Sequence, residues 1–455
     1  MTHIINPTID LFLYDLRNSL GDDEKDIEQK RQYFYQKFHP TVQEKLKQDG
    51  QENNQGIEVE YIHLLKSTYA LLDPNSSGED GYYYPVRLGD SYGLLLEVAE
   101  PATKTPEYFA ELREKIEQKL GGNTPTLGQT WMLSAYLPNS SETTPEEIEK
   151  IAKQCYKAIF PNDKKIEFDG KGEFIGATIF EESDYTLKQD MVKVGNKETF
   201  TVVQTKHIVI AIYPDEATFN KLSGFYVDWM RLFYFHHKIV WGYGQTRILS
   251  IQIKEQFSQI QTKIESIEGK RQSNKLEEIS DVLSEFQAII NHYTQNLNNL
   301  KFQQGTIEIN LSNYDKRLET LQKKATEKVT INKTAISFLE DFSILANEKY
   351  LLQIARDLQN FDQGLLLLEG NINAIRSQVE IEKAKNDQNF QELISVVGTG
   401  VAVLSFIGND PKKECELIFP KNFFICESTL LLKVTIILTA SIFVWFFRKY
   451  ILKRS

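Results

Sequence analysis

The feature that most constrains this chain is an unbroken apolar heptad seam in its last third. Leu351, Ile354, Leu358, Phe361, Leu365, Leu368, Ile372, Ile375 and Val379 follow one another at alternating spacings of three and four. A 3.5-residue repeat sustained this far belongs to a helix that keeps one face against partner helices. The seam fades into Lys383, Lys385, Asn386 and Gln388, and two apolar runs follow, residues 393–407 and 430–447. The pattern predicts a long stalk helix over 336–392, a first transmembrane helix over 393–407, an outer loop over 408–429 and a second transmembrane helix over 430–447. A basic tail, 448–455, closes the chain.

The first run spans only ~22 Å at 1.5 Å per residue, whereas a bilayer core takes about 20 residues. The helix must therefore extend back through Phe390 and Gln391 or be shielded by protein. Glu392 sits at its mouth. Gly398, Gly400, Ala402 and Ser405 repeat along it; small residues of this kind fit close helix packing or the wall of a water-filled path. The second run carries Lys433 near its start and Trp445 near its end, and Arg448, Lys449, Lys453 and Arg454 follow. Basic residues beside a span favour the cytoplasmic side. An integral membrane protein with two spans and both termini cytoplasmic is expected.

At 455 residues the chain has room for two or three domains, and its net charge of −11 argues against nucleic acid as a partner. The acidity serves solubility, or a surface that attracts cations. Of three cysteines, Cys155 reads as a small core residue, whereas Cys415 and Cys426 share the outer loop. They can pair there if the loop faces an oxidising compartment; two free thiols fit equally. The N-terminus lacks the basic and apolar regions of a signal peptide, so the membrane address is expected in the C-terminal hairpin.

Residues 1–80 read as a helical N-terminal extension, with faces built from Ile9, Leu11, Phe12, Leu16 and Leu20 and from Tyr61, Ile62, Leu65, Tyr69 and Leu72. From 82 to 213 the period changes. A hairpin around Gly89-Asp90-Ser91, a Pro-started helix over 106–120, a strand over 130–137 and a capped helix from Thr144 are expected. Further strands over 173–180, 199–205 and 207–213 make this an α+β domain. Residues 214–335 read as helices packed along the stalk, with breaks near Gly269 and Gly305. The aromatic stretch 219–240 reads as a core helix on the sheet. His236 and His237 tempt as a metal pair, but adjacent helical residues diverge by about 100°, and no metal is assigned to them. No Gly-rich phosphate loop, paired-Cys metal site or nucleophile elbow occurs, so no enzyme, catalytic residue or cofactor is expected.

An α+β domain, helices along a long stalk, two C-terminal spans and a basic cytoplasmic tail resemble the CorA family of magnesium and divalent-cation transporters. The run Ile442-Phe-Val-Trp-Phe-Phe-Arg-Lys449 is similar to the way that family leaves the membrane. The family's Gly-Met-Asn pore entrance is here Gly408-Asn409-Asp410, with no methionine between the first two. The resemblance implies a homo-oligomer, a pentamer, with Mg²⁺ or another divalent cation as substrate. It also implies a ring of Asn409, with Asp410, at the outer entrance and a ring of Glu392 at the cytoplasmic mouth. Hard cations take oxygen ligands, and Mg²⁺ keeps its waters. The rival expectation is a membrane-anchored sensor or effector of the defence or stress kind, whose soluble domain binds a ligand or protein and signals through the stalk.

Overall fold

The computed structural model describes residues 2–19, 21–53, 60–73, 81–138, 143–164, 166–194, 197–270, 276–328 and 334–383. The chain divides into two compact units, Met1–Ser250 with Leu300–Asp357, and Ile251–Asn299 with the remainder from Leu358.

The first unit is built on a ten-stranded sheet. In chain order its elements are β1 (Ile4–Leu16), α1 (Glu24–Tyr35), α2 (Pro40–Asp49), β2 (Tyr61–His63), β3 (Ala70–Leu71), β4 (Gly81–Leu88), β5 (Ser91–Ala99), β6 (Thr103–Lys104) and α3 (Phe109–Leu120). Then come β7 (Gly128–Tyr136), α4 (Pro145–Ile159), β8 (Gly170–Phe174), β9 (Ala177–Val194), β10 (Lys197–Tyr213) and the short α5 (Glu216–Phe219). The strand order is β2-β4-β5-β1-β7-β10-β9-β8, with β3 on β4 and β6 on β1. Only β7 and β10 pair in parallel; every other pairing is antiparallel.

The N-terminal segment is therefore no helical extension. Its first element, β1, lies mid-sheet between β5 and β7. Ile9, Leu11 and Leu13 enter the core shared with α1–α4, while Phe12 packs edge-on against Phe233, with 5.2 Å between ring centroids. A strand buried on both faces reads as a nearly continuous apolar run, which periodicity does not separate from a buried helix. The second expected helical face is likewise replaced by β2 and β3; among the described residues of this segment only α1, α2 and a 3₁₀ turn, Gln51–Asn53, are helical.

The hairpin at Gly89 and the capped helix from Thr144 form as expected, the latter with a capping box, whereas the helix expected over 106–120 starts as a 3₁₀ turn, Pro106–Tyr108, before α3. The strand expected over 173–180 is instead a turn at Ile175-Gly176 joining β8 to β9. The two strands expected on either side of Lys206 are one strand, β10, with a register shift between Gln204 and Lys206.

Four long or bridging helices follow: α6 (Tyr226–Lys270), α7 (Leu276–Lys328), α8 (Glu340–Leu345) and α9 (Leu352–Lys383), with a π-helical turn, Ala346–Leu351, before α9. The stalk helix expected from 336 thus begins as a 3₁₀ turn, Ser337–Leu339, and changes winding twice before α9. Gly305 does not break α7. Within α6, residues 232–242 are all buried, the mark of a helix covered on every side. The sheet lies on one side of it, and the Tyr314 and Phe342 rings meet His236 on another. Glycine sets the approach: a Cβ on Gly244 would stand 2.5 Å from the Val202 side chain, and one on Gly242 would stand 3.1 Å from Ile307. Further along, Tyr243 stacks on Tyr350 at 3.9 Å, and Asp357 accepts hydrogen bonds from Arg247 at 2.6 Å and Ser250 at 3.2 Å.

The second unit is a bundle of the remaining lengths of α6, α7 and α9. The predicted seam is its buried line: Leu358, Phe361, Leu368, Ile372 and Ile375 are buried, as is Ile354 in the first unit. Leu351 and Leu365 are half-buried. The side chain of Val379 lies outside the described residues. Tyr293 donates to the Phe361 carbonyl at 2.8 Å. Gly364 makes room for it, since a Cβ there would lie 2.9 Å from the Tyr293 hydroxyl.

Two glycines make opposite predictions. Gly244→Ala forces α6 against Val202, and urea melts are expected to show a loss of about 1–3 kcal/mol. Gly305 has open space around its missing Cβ, and Gly305→Ala is expected to stabilise by roughly 0.5–1 kcal/mol. Equal effects at the two positions would contradict the packing described.

Candidate functional site

The face of the sheet under α6 should by ordinary rules be dry and apolar. It carries instead two clusters of buried ionisable groups. The first surrounds His207 of β10 and the adjacent His236 and His237 of α6. His207 Nε2 lies 3.0 Å from Glu181 Oε1, its Nδ1 lies 2.7 Å from Thr130 Oγ1, and Thr130 Oγ1 lies 2.8 Å from His237 Nε2. His236 Nε2 lies 2.7 Å from Gln204 Oε1, while Gln204 Nε2 donates to the Lys206 carbonyl at 2.9 Å.

These contacts set the protons. A carboxylate only accepts, so His207 carries its hydrogen on Nε2 and accepts at Nδ1 from Thr130. The Thr130 oxygen then accepts from His237 Nε2, which leaves His237 Nδ1 as a bare lone pair. That nitrogen is buried without a hydrogen-bond partner. It faces Gly128, where a Cβ would stand 2.4 Å away. Gly128 also has φ +150. Burial, followed by the neighbouring imidazoles, holds the pKa values of His236 and His237 well below the usual histidine range.

The second cluster lies further along the same face. Asp10 of β1 and Glu97 of β5 stand directly opposite in register, and Tyr226 donates to Glu97 Oε2 at 3.1 Å. Asp10 is fully buried. Its carboxyl is pushed well up by burial and by the Glu97 carboxylate, and burial likewise raises Glu97. Two carboxylates so placed cannot both ionise at ordinary pH. Burial thus disfavours charge on His236, on His237 and on the Asp10–Glu97 pair. Elsewhere in the unit, buried charges are paired. Lys37 meets Asp15 at 3.0 Å, both almost wholly buried, and Glu52 bridges Arg17 and Arg31 with Tyr92 beside it.

The order carboxylate, imidazole, hydroxyl at Glu181, His207 and Thr130 is that of hydrolase triads. Here the hydroxyl is shared with a second imidazole, and Thr130 is 0% exposed. The arrangement can order protons; it offers no substrate-facing hydroxyl. Nor do the rings converge on an ion. His207 stacks on His236 at 4.3 Å with planes 5° apart. No group of three or more His, Cys, Asp or Glu among the described residues could hold a metal.

Sequence reasoning noticed His236 and His237 but missed their partners Thr130, Glu181 and His207. Three separate strands deliver those residues to one point, and no local spacing announces it. The other expected site residues, Glu392, Gly398, Gly400, Ser405, Gly408, Asn409, Asp410, Cys415 and Cys426, lie outside the described residues, as do both expected spans. No helix among the described residues is long and apolar enough to cross a membrane. Cys155 is buried in α4, and burial raises its thiol pKa. Compared with known proteins, the chain matches no family model and no curated sequence.

The two clusters make opposite pH predictions. Unfolded histidines take up protons below about 6.5, whereas His236 and His237 resist them when folded; their contribution is present above that pH and falls as the pH drops. Asp10 and Glu97 keep a proton in the fold that the unfolded chain gives up near pH 4, so their contribution falls as the pH rises. Asp10→Asn removes part of the second loss. Its unfolding free energy is expected to rise more than the wild type's between about pH 5 and about pH 8. An identical pH profile for the two proteins would refute the buried acid pair.

Proposed function

We propose that this chain is a homo-oligomeric, two-span membrane protein of the CorA-like type. Its sheet-bearing unit controls the two C-terminal apolar segments, and those segments conduct a hydrated divalent cation of the Mg²⁺ class. The observation that carries this reading is the buried seam of α9, which runs in sequence directly toward the first apolar segment. Self-association has support of its own. Phe302 and Ile309, one heptad apart on α7, are 50% and 65% exposed, and Leu366 and Leu367 on α9 are 68% and 53% exposed. Large apolar side chains repeated along exposed helix faces fit further copies of the same helices. In such an assembly Asn409 and Asp410 would meet the ion at the outer entrance, and Glu392 would concentrate cations at the inner mouth.

A second reading, a membrane-anchored sensor or effector, draws on the neutral polar seam beneath α6. A helix held to a sheet by groups that ionise at either pH extreme suits a state that changes with protonation or ligand.

Mass in mild detergent and ion flux separate the two. A pentamer whose Mg²⁺ uptake into liposomes drops at least about tenfold (~1.4 kcal/mol of barrier) in Asn409→Ala is the expected result. A dimer or monomer, or flux unchanged in both Asn409→Ala and Glu392→Ala, rejects the pore and leaves the sensor.

A further inference from the structure

We propose that a cleft between α6 and α7, within the first unit, binds a small metabolite through an oxyanion, a phosphate or a carboxylate. Asn310, Asn313, Arg317 and Thr320 follow at spacings of three, four and three, so they share one stripe of α7. This stripe borders the apolar seam of the same helix, Ile307, Leu311, Tyr314, Leu318 and Leu321, whose side chains are all buried. Beside that closed seam the polar stripe stands off from Tyr234 and Phe235 and leaves a cavity of about 490 Å³, with Lys316 at its edge. A volume of this size takes a metabolite of nucleotide dimensions.

The groups on the cavity wall are mostly donors, and two of them are unspent. Tyr234 is committed to Asp90 at 3.1 Å, and Asp90 is in turn held by the buried Lys238 at 2.8 Å. Asn310 donates to the Thr306 carbonyl at 2.7 Å, and Thr320 donates to the Lys316 carbonyl at 2.7 Å. Arg317 reaches Glu60 only at 3.4 Å, and the Glu60 side chain is 60% exposed. The Lys316 ammonium and the Asn313 amide have no side-chain hydrogen bond or ion pair among the described residues. Two cations against one carboxylate leave the wall with an excess positive charge and unspent N–H donors. That combination selects an anion with several acceptor oxygens. Because the cleft is shared by α6 and α7, a bound anion would bridge the helix under the sheet to its neighbour. The site stands whether or not the C-terminal segments conduct.

The test is calorimetric titration of the full-length protein in detergent with three probes: ATP, inorganic pyrophosphate and citrate. One bound molecule per chain is expected for at least one probe, weakened at least about tenfold in Lys316→Glu (~1.4 kcal/mol). Asn313→Leu, which fills the cleft, is expected to weaken it too, whereas Lys323→Ala on the exposed surface of α7 leaves it unchanged. Binding of ATP or pyrophosphate without citrate assigns a phosphate ligand; binding of citrate without the other two assigns a carboxylate; binding of both kinds assigns a general oxyanion site. No binding of any probe below about 1 mM, or equal binding by Lys316→Glu with its thermal melt intact, overturns the proposal.

Discussion

The contact between α6 and the sheet is the constraint on which the first unit depends. An eleven-residue stretch of this helix, 232–242, is buried on every side. One side rests on β1, β7 and β10, through Phe12, Thr130 and His207. Burying a polar group without a partner costs about 1–3 kcal/mol, and burying an unpaired charge costs far more. His236, His237 and the acid pair on this face meet that constraint by resisting charge and, apart from His237 Nδ1 and the Asp10 carboxyl, by hydrogen bonding. The same constraint explains Gly128 and Gly244. Each stands where a ring or a strand comes closer than a Cβ would allow.

Beneath α6, His236, His237 and the Asp10–Glu97 pair resist charge, unlike the paired charges elsewhere in the unit. Lys37 has Asp15 as its counterpart, although burial lowers its pKa; Glu52, held below the usual carboxylate range against burial by Arg17 and Arg31, gains from ionisation. The groups beneath α6 lose by it. Charging those groups therefore weakens the contact between α6 and the sheet.

The sequence was most legible where a local rule acts alone. The heptad seam of α9, the capping box at Thr144, the proline start at Pro106 and the hairpin at Gly89 all follow from contacts within a few residues, and all four form. It was least legible at β1. A strand covered on both faces has no polar side, so its side chains lack the alternation that separates strand from helix. The site was similarly hidden. Thr130, Glu181 and His207 are ordinary strand residues until β7, β9 and β10 bring them beside α6.

Sequence alone determined the helix of α9, its apolar seam, the acidic balance and the turn or helix starts at Gly89, Pro106 and Thr144. These are properties of neighbouring residues and of summed composition, which no fold can alter. Tertiary structure decided that the first thirteen-residue element is a central strand, that two histidines adjacent in sequence join a third across the sheet, and that the polar stripe of α7 faces a cleft. Each of these depends on which surfaces are desolvated together. Desolvation is a property of the packed molecule, and no single segment carries it.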